Sequence, residues 1–229
     1  MENPLVKLVP QLFGEYPKPF IKLIENIPLS PGQDSEEQVK TLWKAYEFGS
    51  RYHDGQKRLS GKPYFSHCLA VANTLASWKM DTSTVIAGLL HDTVEDTDAT
   101  IEQITENFGE DLAGLVDGLT KISEISYSSR KEKQAGNFMK MLLSVAQDMR
   151  VIIIKFADRL HNMETLRHMT QIKRHRIAVE TRDIYVPLAH RLGMSSVKSQ
   201  LEDLVFTVLN PTGYQEMESK IKSSEKQRQ

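Results

Sequence analysis

An all-α fold is the expectation for this chain, and three observations carry it. Apolar residues recur at helical spacing in nearly every segment, no strand alternation of useful length appears, and the breaks fall at glycine, proline and capping residues. The 229 residues, 40% hydrophobic and 26% charged, suit a globular chain. They leave room for about ten or more helices in one principal domain.

Taken in order, the first helices, within Pro4 to Leu29, stand apart from the main pattern, so residues 1–34 are expected to form a helical appendage. A principal domain then covers 35–210 and a charged tail 211–229. Ser35 with Gln38 makes a capping box, and Val39, Leu42, Trp43, Tyr46 and Gly49 follow at helical spacing. Gly55 to Pro63 is a loop, and Tyr64 to Trp78 a helix with His67, Val71, Leu75 and Trp78 on one side. The next helix runs from Thr82 to about Thr93. TIEQITENFG follows, stopped by the glycine after Phe108, and then EDLAGLVDGLTKI. Ser123 to Lys133 is polar and reads as a loop near the site. Asn137 to Ala146, Met149 to about Leu166, Ala178 to Leu192 and Ser195 to Leu209 complete the set.

Composition excludes several classes of function. Lys+Arg 29 against Asp+Glu 30 gives a net charge of -1, so no general nucleic-acid footprint is present. The basic run Ile172 to Ile177 reads as a solvated helix face. No apolar run approaches the ~18 residues of a membrane span. The N-terminus lacks the basic start and apolar core of a secretory signal. A single cysteine, Cys68, excludes an internal disulfide framework and a Cys-rich zinc site. A cytoplasmic location is expected, without membrane or nucleic-acid partners.

The chemistry concentrates in GLLHDTVEDTD, Gly88 to Asp98. Val85, Ile86, Leu89 and Leu90 bury one side of a helix, after which His91, Asp92, Glu95, Asp96 and Asp98 crowd together. Carboxylates that close repel unless something positive lies between them. A divalent cation such as Mn²⁺, Fe²⁺ or Zn²⁺ meets that need, with neutral imidazoles and carboxylates as ligands. His91 and Asp92 diverge by ~100° on a continuous helix but can converge at a helix end. His67, on an apolar helix face, and Asp158 are the best further ligands. Asp158 lies in a helix whose run Val151-Ile152-Ile153-Ile154 marks it as buried around much of its circumference, with Met149, Ile152, Ile153, Phe156, Leu160 and Met163 as core stripe. An aspartate there needs a partner. The alternative is a buried ion pair with Arg159. Asp96 and Asp98 could also cap the helix opening near Thr100. His161, His53, His168, His175 and His190 read as structural or surface residues.

Five blocks carry a family resemblance: GQKRLSGKPYFSH (Gly55 to His67), LLHDTVEDT (Leu89 to Thr97), LVDGLTKI (Leu115 to Ile122), VIIIKFADRLHNMETL (Val151 to Leu166) and ETRDIYVPLAHRLGM (Glu180 to Met194). The chain resembles the hydrolase domain of the Rel/SpoT alarmone enzymes, within the HD phosphohydrolase superfamily. The resemblance covers about Leu42 to Pro211 and implies an HD-domain helical bundle with a metal site between helices. It implies hydrolysis of the 3′-diphosphate of (p)ppGpp to GDP or GTP and pyrophosphate, with one Mn²⁺ per chain. By motif position the metal ligands are His67, His91, Asp92 and Asp158. Glu95 and Asp96 match the catalytic acid pair: one handles the attacking water, acidified by the metal, and the other hands a proton towards the leaving oxygen. Arg58, Ser60, Asn162 and Thr165 match the nucleotide pocket, and Lys121, Lys155 and Arg159 are further cations for the 5′ phosphates.

HDxxED is whole here, whereas members specialised for synthesis have typically lost it, which favours a working hydrolase. Leu59 stands where the family usually has a second basic residue, and Cys68 where proline is common. Two other functions fit the same resemblance: a stand-alone relative removing a phosphate from NADPH, and a regulatory domain that binds alarmone without turnover. The chain is expected to be either a natural small alarmone hydrolase or an excised domain with a synthetase in cis; the tail resembles the connector into a synthetase, which favours excision.

Overall fold

The computed structural model describes residues 3, 5, 6, 8, 16–28, 34–123 and 148–228. The helix expected at Asn137 to Ala146 and nearly all of the polar loop at Ser123 to Lys133 lie outside them. The regular structure of the described residues is all helical, with no strand; an isolated antiparallel bridge joins Lys57 and Pro63. The helices are α1 (Lys18–Asn26), α2 (Ser35–Tyr52), α3 (Phe65–Ser77), α4 (Thr82–Leu90), α5 (Thr93–Asp96), α6 (Ile101–Phe108), α7 (Glu110–Ser123), α8 (Met149–Glu164), α9 (Gln171–Glu180), α10 (Val186–Arg191), α11 (Ser195–Leu209) and α12 (Pro211–Arg228). No helix among the described residues is long and apolar enough to cross a membrane.

The chain divides into two compact units, Met1–Asp158 and Arg159–Gln229. The division falls within α8. In the first unit α3 and α4 pack together, α2 lies against α4, and α6 and α7 pair with α4 touching α7. Phe20, Leu23 and Ile24 of α1 are buried in the same core, where Phe20 meets Trp43 edge-on at 4.8 Å. The first helix therefore contributes side chains to this core. An edge-to-face aromatic contact of this kind adds about 0.5–1.5 kcal/mol beyond its buried area.

The helix ends explain several differences from the sequence reading. Asp34, not Ser35, caps α2, accepting from the Glu36 amide at 3.0 Å. Gln38 is fully buried and donates to Thr82 Oγ1 and the Pro28 carbonyl, so it joins two segments instead of closing a capping box. The box appears at α6, where Thr100 and Gln103 satisfy each other's backbone amides; the cap there is Thr100 itself, not Asp96 or Asp98. Gly109, at φ 87°, ends α6 in the left-handed region that favours glycine.

In the second unit α11 packs on α9 and α10. The helix expected from Ala178 begins earlier, at Gln171, because the charged residues Lys173 to Arg176 simply face solvent. It continues through a π-helical turn, Thr181–Tyr185, into α10. The buried Thr181 hydroxyl, at the start of that turn, donates back to the Ile177 carbonyl of α9. The segment read as a charged tail is helical as α12.

Candidate metal centre

The helix holding the acid-rich stretch does not run on to Thr93. It stops at Leu90 and reopens at Thr93, leaving His91 and Asp92 at the junction of α4 and α5. That break is what lets two adjacent side chains aim at one point. Gly88 brings the partner helix near: a Cβ there would collide with the Leu75 side chain and approach the Ala72 backbone. The close α3–α4 contact it permits carries His67, in the first turn of α3, towards His91.

His67 Nε2 lies 3.2 Å from Asp158 Oδ1 and 3.5 Å from Asp92 Oδ2; His91 Nε2 lies 3.0 Å from Asp92 Oδ1 and 3.9 Å from Asp158 Oδ1. The imidazoles are buried, and the carboxylates are 13% and 17% exposed. Such spacings suit neighbouring donor atoms around a cation held at roughly 2.0–2.2 Å from each. His91 supplies the fit test. Its Nδ1 meets the Gly88 carbonyl at 2.9 Å, which assigns that nitrogen as the donor. Its Nε2 is then buried without a properly aligned hydrogen bond, its lone pair facing carboxylates. Acceptors facing acceptors require a positive charge between them, so the residues fit a divalent cation.

Electrostatics point the same way. Burial works against a charged His91, yet Asp92 and Asp158 outweigh it and raise the imidazole from 6.5 to about 8. Burial also opposes an ionised Asp92, but His91 and His67 hold it well below the usual carboxylate range. Asp158 is lowered to about 2 against its own burial, chiefly by its hydrogen bond with His67. Cys68 Sγ also falls within reach of His91 and Asp92. Burial, then the charges of Asp92 and Asp158, push that thiol well up, which keeps it protonated and a poor ligand.

Glu95 and Asp96 are exposed in α5, just beyond the buried pair. Between them and the centre stands Tyr64. Its hydroxyl lies 2.9 Å from Asp92 Oδ2 and 2.6 Å from Asp96 Oδ2. Burial, with Asp92 and Asp96 beside it, raises this phenol well above its ordinary value. The sequence reading took Tyr64 only as the start of a helix, and no periodicity would single it out. His53, read as a packing residue, is buried and stacks on the Tyr64 ring.

An HD domain family matches residues 45–195, about two thirds of the chain. The chain belongs to the HD domain family. It is 51% identical over 197 residues to a Myxococcus xanthus protein named GTP pyrophosphokinase, covering 85% of this chain and 26% of that one. It is 47% identical over 189 residues to the bifunctional (p)ppGpp synthase/hydrolase SpoT of Escherichia coli, covering 82% and 27%. An Aquifex aeolicus protein named guanosine-3′,5′-bis(diphosphate) 3′-pyrophosphohydrolase is 48% identical over 205 residues, covering 90% and 28%. This HD domain thus spans about a quarter of the length of these relatives. Among solved structures it resembles one described as a metazoan orthologue of SpoT that hydrolyses ppGpp and plays a role in starvation responses. That match has 28% identity and a TM-score of 0.60, covering 72% of this chain and 93% of the other.

The remaining candidates of the HD domain fall in different settings. Arg58 sits in the Gly55 to Pro63 loop, its guanidinium 5.5 Å from the centroid of the Tyr64 ring. Ser60 is half-buried in the same loop, and Leu59 between them is 69% exposed. Lys121 is exposed and pairs with Asp117 on its own helix. Lys155 is buried, and its charge acts against protonation of His91. In the second unit, Arg159 pairs with Glu180 at 2.8 Å and meets the Tyr185 hydroxyl at 2.9 Å. Asn162 is half-buried on α8. Thr165 follows that helix and donates to the His161 carbonyl, which leaves its hydroxyl lone pairs to accept.

Proposed function

We propose that this HD domain hydrolyses the 3′-diphosphate of (p)ppGpp, releasing pyrophosphate and GDP or GTP, with Mn²⁺ as its metal. The observation that carries the reading is the buried cluster of two imidazoles and two carboxylates beside an exposed acid pair. The names of the SpoT-like relatives supply the substrate. His67, His91, Asp92 and Asp158 would hold the ion. When bound, it supplies positive charge that polarises a phosphoryl oxygen and acidifies water.

The protein's own groups do the rest. Gly88, through its carbonyl, keeps the His91 lone pair directed at the centre. Glu95 and Asp96, at the solvent edge, orient the attacking water, take its proton, and return one to the leaving ribose oxygen. Arg58 offers a guanidinium plane for a guanine or a fork for phosphate, and Ser60 a hydroxyl beside it. Asn162 presents a donor and an acceptor to a base edge, and Thr165 an acceptor. Lys121, Lys155 and Arg159 are placed last among the phosphate contacts, since Lys121 and Arg159 are engaged in ion pairs and Lys155 is buried.

The test is direct. Purified protein is incubated with ppGpp and Mn²⁺, and pyrophosphate release is followed, with NADPH assayed in parallel. Pyrophosphate from ppGpp supports the reading. Phosphate from NADPH alone replaces the substrate, and binding of ppGpp without turnover replaces the enzyme by a regulatory domain.

A further inference from the structure

We infer that the Tyr64 hydroxyl is a positioning group that couples the metal-holding carboxylate Asp92 to the proton-handling carboxylate Asp96. The inference rests on the roles proposed above for those two residues. A single phenol oxygen stands 2.9 Å from Asp92 Oδ2 and 2.6 Å from Asp96 Oδ2. It has one proton to donate, so the two carboxylates share one donor and their positions become interdependent. It engages Oδ2 of Asp92, the oxygen 3.5 Å from His67 Nε2, and so fixes the carboxylate whose Oδ1 lies 3.0 Å from His91 Nε2. On the other side it gives the exposed Asp96 side chain a fixed partner, where solvent alone would let it turn.

The phenol is itself held on several sides. The His53 ring stacks on it with centroids 4.9 Å apart and planes 13° apart, and the Arg58 guanidinium lies 5.5 Å from its centroid. Gln56 links the arrangement. Its side chain meets His53 Nδ1 at 2.8 Å and donates to the Asp96 carbonyl at 2.8 Å, while its own carbonyl accepts from the Tyr64 amide at 2.9 Å. The loop bearing Arg58 and Ser60 therefore reaches both acids through one ring. Tyrosine suits this place: it lacks the charge with which a lysine would compete with a metal ion, and it donates where phenylalanine cannot.

Tyr64→Phe removes the oxygen and keeps the ring, its stack on His53 and its face to Arg58. Mn²⁺ binding to the metal-free variant is measured by calorimetry, beside its thermal unfolding without metal. The dissociation constant should rise about 10–100-fold, the range for loss of a group that orients a metal ligand, with unfolding unchanged. In ppGpp hydrolysis at saturating Mn²⁺, kcat should fall about tenfold while KM stays within about twofold. Wild-type affinity for Mn²⁺ would overturn the inference. So would a weakened affinity matched by an equal loss of metal-free stability, because that assigns Tyr64 a merely structural role. If the affinity falls as expected but the wild-type protein leaves ppGpp intact, the proposed substrate fails and the coupling of Tyr64 to Asp92 stands.

Discussion

The two halves of the acid-rich stretch Gly88 to Asp98 behave as different materials, although only two residues separate them. His91 and Asp92 are buried, and their protonation is displaced from ordinary values in opposite directions by each other and by their neighbours. Glu95 and Asp96 stand in solvent. On the proposed roles, the difference teaches how one short stretch can divide its work. Groups that hold a cation benefit from a dry, packed setting where electrostatic attraction is strong. Groups that exchange protons with water need contact with it. The helix break between Leu90 and Thr93 is the physical divider.

The most severe way to break this comparison is Asp92→Ala. Losing a buried candidate ligand should weaken Mn²⁺ affinity by more than the ~100-fold upper range for outer partners and abolish pyrophosphate release; calorimetry and the release assay both report it. Equal activity in that variant would defeat the metal reading. Glu95→Gln on the exposed side should separate the functions: kcat drops by about 10²–10⁴-fold, as for loss of a general acid or base, while Mn²⁺ affinity stays near wild type.

The buried half also predicts a pH dependence. In the metal-free protein His91 is raised from 6.5 to about 8. Its charged form therefore adds stability that is fully present below about 6.5 and lost as pH rises through about 8. A metal ion competes with that proton for the same nitrogen. Mn²⁺ affinity should consequently weaken by up to about tenfold per pH unit as pH falls below 8, so the metal-induced rise in Tm should be larger at high pH than at low. A Tm rise independent of pH would contradict this. The smallest expected effect lies in the support: Gly88→Ala overfills the α3–α4 contact and should cost about 1–3 kcal/mol of stability, measured by denaturant unfolding, with a weaker Mn²⁺ site as His67 and His91 are pushed apart.

Much of the fold was legible because it depends on local signals. The glycine at 109 and the start and end of Ser195–Leu209 follow from nearest-neighbour chemistry, whereas the Thr100–Gln103 box was not read from it. Other ends were not legible. Asp34 and Ser35 are both good caps in isolation, and what decides between them is Gln38, drawn inward to Thr82 from 44 residues away. The early start of α9 was hidden because a helix with one solvated charged face shows little apolar period over Lys173 to Arg176. On α8, Met149 belongs to the expected stripe yet is 55% exposed, while Val151, Ile154 and Ala157 are buried outside that stripe.

By itself the sequence determined the all-helical class, the acid-rich stretch and its need for a cation, since composition and periodicity are properties of neighbouring residues. The tertiary structure alone decided how His67, His91, Asp92 and Asp158 meet, because their convergence depends on the α3–α4 approach at Gly88 and on a break that ends a helix at Leu90. It alone revealed Tyr64 between two acids 28 and 32 residues further along. A hydrogen bond across that span leaves no periodic trace: it is fixed by where two segments come to rest, and only the packed core determines that.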